Sequence, residues 1–293
     1  MTFAAMGAVE CIVRTQNALG EGIIWCPRRQ TLWWVDVLAG KVHEWRQADT
    51  LHRTHDLPFR RIGSLALRER GGLLLATEQG LFVWDPETGS TAFAAAPEIG
   101  QPTHRLNDGR CDRAGRFWVG SMHDTEFVPD GKLFRVDRDL TVTTMAERIV
   151  IPNSIAFSPD DRTFYFADTR QYAIWAFDFD LADGALRNQR VFARYAGPAR
   201  PDGSCIDTSG CLWNASYAGG QIVRYTPDGR TDRVIDLPVS HPTCCCFGGR
   251  DLEILFVTSA RFPLSDPSTE PLAGSVLALR PGAQGLPEST FKG

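Results

Sequence analysis

The sequence predicts an all-β fold, a six-bladed β-propeller whose ring is closed by an outer strand from the N-terminus. Three observations point there. A two-run apolar phrase recurs six times, its period matches a propeller blade, and the last copy lacks a strand that the start of the chain can supply. The first runs are LWWVD from Leu32, LLLAT from Leu73, FWVGS from Phe117, FYFAD from Phe164, LWNAS from Leu212 and LFVTS from Leu255. Each is followed by a partner: KVHEW from Lys41, LFVWD from Leu81, LFRVD from Leu133, IWAFD from Ile174, IVRYT from Ile222 and VLALR from Val276. Copies stand roughly 41–48 residues apart, the period of a blade or of a helical array. Short aromatic and β-branched runs bounded by Gly, Asp and Pro are strands, which selects the propeller.

An innermost strand precedes each pair. These are EGIIWCP from Glu21, IGSLALR from Ile62, NDGRCDR from Asn107, NSIAFSP from Asn153, DGSCIDT from Asp202 and PTCCCFG from Pro242. Small and apolar residues dominate them, as crowding near the axis demands. Outer strands follow in several blades, among them RVFARY from Arg190 and RVIDLP from Arg233. After VLALR only a Pro/Gly-rich tail remains, so the last blade would keep an unpaired edge, which closed sheets avoid. The segment VECIVRT, Val9 to Thr15, has no blade of its own and is expected to fill that edge. Two loops are long, Ser121 to Gly131 and Ala260 to Gly274. Both join second to third strands and so lie on the face where the inner strands begin, where loops carry function.

The repeat fills nearly all 293 residues, so a single domain, 1–293, is expected. Hydrophobic content of 43% and charged content of 23% are globular values. A net charge of −4 argues against a general nucleic-acid surface. No apolar run approaches the ~20 residues of a membrane span. The opening MTFAAMGAVECIV has neither a charged leader nor a long apolar region. A cytoplasmic protein without nucleic-acid or membrane partners is expected; oligomeric state is not fixed. The eight cysteines include three adjacent ones, Cys244, Cys245 and Cys246, whose side chains alternate across a strand and cannot pair locally. Cys26, Cys111 and Cys205 also fall in inner strands. They read as reduced core thiols.

The residues opening the inner strands form a ring: Glu21, Ile62 or Gly63, Asn107, Asn153, Asp202 and the Pro242/Thr243 neighbourhood. Four of six blades thus place a carboxylate or carboxamide at one equivalent position, and propeller symmetry gathers them at one mouth of the channel. Oxygen donors without thiolates or clustered histidines suit one divalent cation, Ca²⁺, Mg²⁺ or Mn²⁺, and would accept Fe²⁺ or Zn²⁺. Glu21 and Asp202 would neutralise the ion and Asn153 would add a neutral oxygen. A structural ion plugging the channel is the alternative.

The motifs LGEG (Leu19 to Gly22), RLNDGRCDRAGRFWVGSM (Arg105 to Met122), IPNSIAFSPD (Ile151 to Asp160), PDGSCID (Pro201 to Asp207) and TCCCFGG (Thr243 to Gly249) resemble the SMP-30/gluconolactonase/LRE family of regucalcin-like propellers over nearly the whole chain. The resemblance implies that Glu21, Asn153 and Asp202 hold the metal and that Arg105 and Asn107 orient the substrate. Where animal members carry an acidic pair after the second motif, this chain has HDTEF, which looks like the bacterial sugar-lactonase version. It gives His123 and Asp124 a substrate-binding role.

The implied activity is metal-dependent hydrolysis of an aldonolactone, such as a glucono-, xylono-, arabinono- or galactonolactone, with Asp202 or metal-delivered water providing the base. His104, Arg170, Tyr172, Tyr217 and Arg261 fall on predicted top-face loops as candidate readers of sugar substituents. A sulfonate or phosphate would fall to Arg170 or Arg261. The alternatives are phosphotriester hydrolysis on the same scaffold and a non-enzymatic calcium- or ligand-binding propeller. The chain has no G-x-S-x-G elbow, H-E-x-x-H helix or P-loop.

Overall fold

The computed structural model describes residues 7–98 and 100–293. Residue 99 and residues 1–6, part of the segment read for a leader, lie outside the described residues. The chain enters through β1 (Glu10–Val13) and lays down five blades of four consecutive strands. They are β2–β5 (Gly20–Cys26, Thr31–Asp36, Lys41–Arg46, Leu51–Asp56) and β6–β9 (Ile62–Leu67, Leu73–Thr77, Gly80–Trp84, Thr91–Ala95), followed by β10–β13 (His104–Cys111, Phe117–His123, Gly131–Val136, Val142–Ile149). Next come β14–β17 (Pro152–Phe157, Thr163–Asp168, Ala173–Asp180, Ala185–Arg194) and β18–β21 (Arg200–Ile206, Leu212–Tyr217, Gln221–Tyr225, Thr231–Asp236). The sixth blade runs β22 (Pro242–Gly248), β23 (Ile254–Ser259), β24 (Val276–Leu279) and then β1. Glu10 lies opposite Ala278 and Cys11 opposite Leu277, so the N-terminal strand closes the ring as expected. Among the described residues no helix is long and apolar enough to cross a membrane.

Burial follows strand order. Inner strands are buried at nearly every position, whereas the outer strands β5 and β21 are largely exposed. Six apolar clusters fill the gaps between neighbouring blades, so the middle strands are buried on both faces. Leu32 and Trp34 point toward the sixth blade while Trp33 and Val35 point toward the second, the two-residue alternation of a strand. Each large apolar side chain buried in this way contributes about 2 kcal/mol. All eight cysteines are free thiols, seven of them buried.

The Pro/Gly-rich C-terminal tail adds no strand to the blades but is anchored to them. Phe291 is fully buried in the cluster between the second and third blades, and its backbone bonds to Leu67 and Glu69. Glu288 pairs with Arg110 of β10 beneath the channel.

All six inner strands carry a register shift at the same place. The shifts fall between Glu21 and Ile24, Ile62 and Ser64, Leu106 and Gly109, Asn153 and Ala156, Pro201 and Ser204, and Pro242 and Cys245. A bulge frees one or two residues from the ladder and re-aims their side chains. Close packing of neighbouring bulges limits side-chain size: a Cβ on Gly63 would stand 2.1 Å from the Leu106 carbonyl oxygen. Gly63→Ala is therefore expected to destabilise the protein by about 1–3 kcal/mol, read as a lower urea midpoint with an unchanged slope.

Candidate active site

The bulges of β2, β10, β14 and β18 bring Glu21, Asn107, Asn153 and Asp202 to the mouth of the channel, each only 4–8% exposed. The other two ring positions hold the buried Gly63 and Thr243, while Ile62 packs into the apolar cluster between the first two blades. A chain of hydrogen bonds crosses three blades. Arg105 Nη1 donates to Asn107 Oδ1 (2.5 Å), and Asn107 Nδ2 donates to Pro152 O (2.9 Å) and Asn153 Oδ1 (3.2 Å). Asn153 Nδ2 then donates to Thr169 Oγ1 (2.7 Å), whose hydroxyl donates to Pro201 O (2.9 Å), the residue before Asp202. Thr169 opens the short turn Thr169–Gln171, which is held by the buried Asp168 carboxylate. That group accepts from the backbone N–H groups of Val150, Ile151 and Arg170.

The Glu21 and Asp202 carboxyls are both buried at this mouth and lie close enough to shift one another's titration. Burial, then the carboxylate of Asp108, pushes Glu21 up to about 8. Burial, then Glu21, raises Asp202 well above the usual carboxylate range. Asp202 Oδ1 is buried without a hydrogen-bond partner. Two mutually repelling carboxyl groups and an orphaned oxygen are what a divalent cation would neutralise, and the donor set is hard. Among the described residues no three or more of His, Cys, Asp and Glu gather to hold an ion. A cation here would therefore draw on Glu21, Asp202 and the Asn153 amide oxygen, with water completing its shell.

Asp124, only 4% exposed at its side chain, pairs with Arg61 (3.1 Å) and Arg105 (3.2 Å), with Arg60 further off (3.6 Å). Its Oδ2 has no hydrogen-bond partner. His123 is turned to its own loop, its Nδ1 accepting from the backbone of Thr125 and Glu126. Of the five residues assigned to top-face loops, two lie on strands: His104 opens β10 and Tyr217 closes β19. His104 is buried and faces Asp130 (3.2 Å). Burial, then Asp202, raises the Tyr217 hydroxyl, which also lies in the fields of Arg200 and Glu21. Arg261 is tied to Gln16 (2.7 Å), and the Arg170 guanidinium lies over the exposed Phe127 ring (4.2 Å).

A profile of the SMP-30/Gluconolactonase/LRE-like region matches residues 19–261. The chain belongs to that family. It is 37% identical to the 6-deoxy-6-sulfogluconolactonase of Pseudomonas putida, covering 97% of this chain and 99% of the relative. It is also 37% identical to the L-arabinolactonase of Azospirillum brasilense, covering 98% and 96% respectively. Among solved structures, a calcium-binding protein, regucalcin, from Agrobacterium tumefaciens superposes with a TM-score of 0.92 at 33% identity, covering 97% of both chains. In this member of the family, sequence reasoning missed Asp108, Thr169 and Arg200. Only Arg200 carried a readable signal: it precedes Asp202 by the two-residue offset that separates Arg105 from Asn107.

The raised Glu21 value fixes a pH dependence. The stabilisation of its protonated form is complete below the ordinary value of 4.5 and is lost as pH rises through about 8. Metal-free protein is thus expected to lose thermal stability across that window relative to Glu21→Gln, and saturating Ca²⁺ or Mn²⁺ should flatten or reverse the difference. Thermal unfolding of both proteins, with chelator and with ion, checks this.

Proposed function

We propose that the protein is a lactonase that opens an aldonolactone, the ring ester of a sugar acid, to the free acid, using one divalent cation held by Glu21, Asn153 and Asp202. The observation that carries this reading is the buried Asp202 carboxyl, whose Oδ1 has no hydrogen-bond partner, at the end of the chain of bonds that runs from Arg105 through Asn107, Asn153 and Thr169 to Pro201. The two lactonases among the relatives support a sugar-acid lactone as substrate class, one a sulfonated gluconolactone and the other an arabinolactone. Regucalcin, described as calcium-binding, supports a divalent ion. The free thiols fit a reducing compartment and a cytoplasmic location.

Bound at these oxygens, the cation would supply Lewis acidity that polarises the lactone carbonyl. With one Asp202 oxygen on the cation, the other would accept the proton of the attacking water and return it to the ring oxygen as the C–O bond breaks. Arg105 is fixed by Asn107 and Asp124, and its Nη2 donates no hydrogen bond to another described residue, leaving it for a substrate oxygen. The amide of Asn107 is already committed on both sides, so it orients Arg105 and Asn153 while they hold substrate and ion. Asp124 Oδ2 accepts no hydrogen bond from a described residue and stands 3.6 Å from Arg60, which leaves it an acceptor for a sugar hydroxyl, and His123 props the loop that carries it.

The test is a panel of glucono-, xylono-, arabinono- and galactonolactones followed by acid release, with protein stripped by chelator and reloaded with Ca²⁺, Mn²⁺, Mg²⁺, Zn²⁺ or Fe²⁺. Turnover is expected to vanish on stripping and to return with at least one ion. Asp202→Asn is expected to lower kcat about 10²- to 10⁴-fold. Undiminished turnover by stripped protein would refute the cation's role, and activity confined to phosphotriesters would refute the lactonase.

A further inference from the structure

Three arginines occupy equivalent places at the mouth, each two residues before a ring position: Arg61 before Gly63, Arg105 before Asn107 in β10, and Arg200 before Asp202 in β18. Their surroundings differ. Arg105 is buried and neutralised by Asp124. Arg200 is half-buried and forms no ion pair with any described carboxylate. Its Nε donates to the Tyr172 hydroxyl (3.2 Å), and its guanidinium lies over the Tyr172 ring, 5.5 Å from the centroid. Tyr172 caps the same Thr169–Gln171 turn that holds Asn153, so the turn places the guanidinium and an inner-ring oxygen together. Arg200 stands opposite Tyr217 in the β18–β19 ladder and directly precedes Pro201, whose carbonyl accepts from Thr169, which sets Arg200 on the rim of the reacting centre. Stacking and a single bond through Nε leave both terminal nitrogens of the fork free, the geometry that binds a planar or tetrahedral oxyanion.

Of the other mouth arginines, Arg61 serves Asp124 and the Leu38 carbonyl and Arg261 serves Gln16. The Arg170 guanidinium makes no hydrogen bond to a described residue, but it lies on Phe127, a ring 59% exposed, and not on the residue that caps the turn. The sequence pointed to Arg170 or Arg261 for an anionic substituent; the side-chain contacts favour a different residue.

We infer that Arg200 is a specificity-determining residue that binds an anionic substituent of the lactone, so that the preferred substrate carries a sulfonate, phosphate or carboxylate at the end remote from the ring carbonyl. The inference rests on the lactonase reading. It is tested by kcat/KM for glucono-1,5-lactone against its 6-phosphate, its 6-deoxy-6-sulfonate and the glucaric-acid lactone. The wild-type protein is expected to prefer at least one anionic lactone, and the three arms identify which oxyanion. Arg200→Gln should lower the anionic-to-neutral ratio about 10- to 100-fold, mainly through KM, and Arg200→Lys, which keeps the charge but loses the fork, should fall between.

A ratio left unchanged by both variants, or one that collapses with Arg170→Gln instead, overturns the inference. If Arg200→Gln does not fold, Arg200→Lys carries the test. Calorimetric binding of gluconate and 6-phosphogluconate provides a readout independent of turnover. Tighter binding of the phosphorylated acid, lost on substitution of Arg200, supports the anion site even if no lactone is opened. Equal binding of the two acids, together with turnover of neutral lactones, overturns the anion site and leaves the lactonase standing.

Discussion

The bulge that interrupts every inner strand is the constraint on which this molecule depends. A regular ladder would point the first residues of each inner strand into the neighbouring blades, where the six apolar clusters leave no place for a carboxylate. The two displaced residues include Asn107 and Asp202 and directly follow the paired Glu21 and Asn153, so the bulge gathers all four at the mouth without breaking the sheet that holds them. The displacement also sets backbone demands. Gly22 and Ser154 adopt positive φ within it, and Ser154, unusual there, is bonded to Ser204 of the next blade.

Polar side chains rather than apolar contact tie the site together across blades. The apolar clusters fix the distance between neighbouring sheets but say little about the rotation of a side chain at the axis. That rotation is set by the bonds running from Arg105 to Pro201, and by Asp168, which holds the turn carrying both Thr169 and Tyr172. Buried polar groups linked this way hold one arrangement tightly because each lost bond would leave an unsatisfied partner.

Much of this was legible in the chain. Blades could be read from their apolar runs, and the closing strand from an imbalance between the two ends. The ring could be read because polar residues interrupted segments otherwise small and apolar. What escaped depended on contacts between distant residues. Thr169 looks like any turn residue until Asn153 and Pro201 are seen on either side of it. β10 and β18 begin earlier than expected because histidine and arginine at their starts resemble loop residues, although there they face the mouth. Composition likewise gave no sign that Phe291 of the tail inserts between two blades.

The seam of the ring also governs how such a chain can be completed on the ribosome. The partner of Glu10–Val13 is Val276–Leu279, the last strand to emerge. Throughout synthesis the first segment must wait with its backbone groups unsatisfied by the sheet it will join, while five blades assemble behind it. Contacts this far apart in sequence are slow to form. The nascent protein therefore passes through an open arc in which the edge of the N-terminal strand stays unpaired until Val276–Leu279 arrives, the stage at which chaperones would matter most.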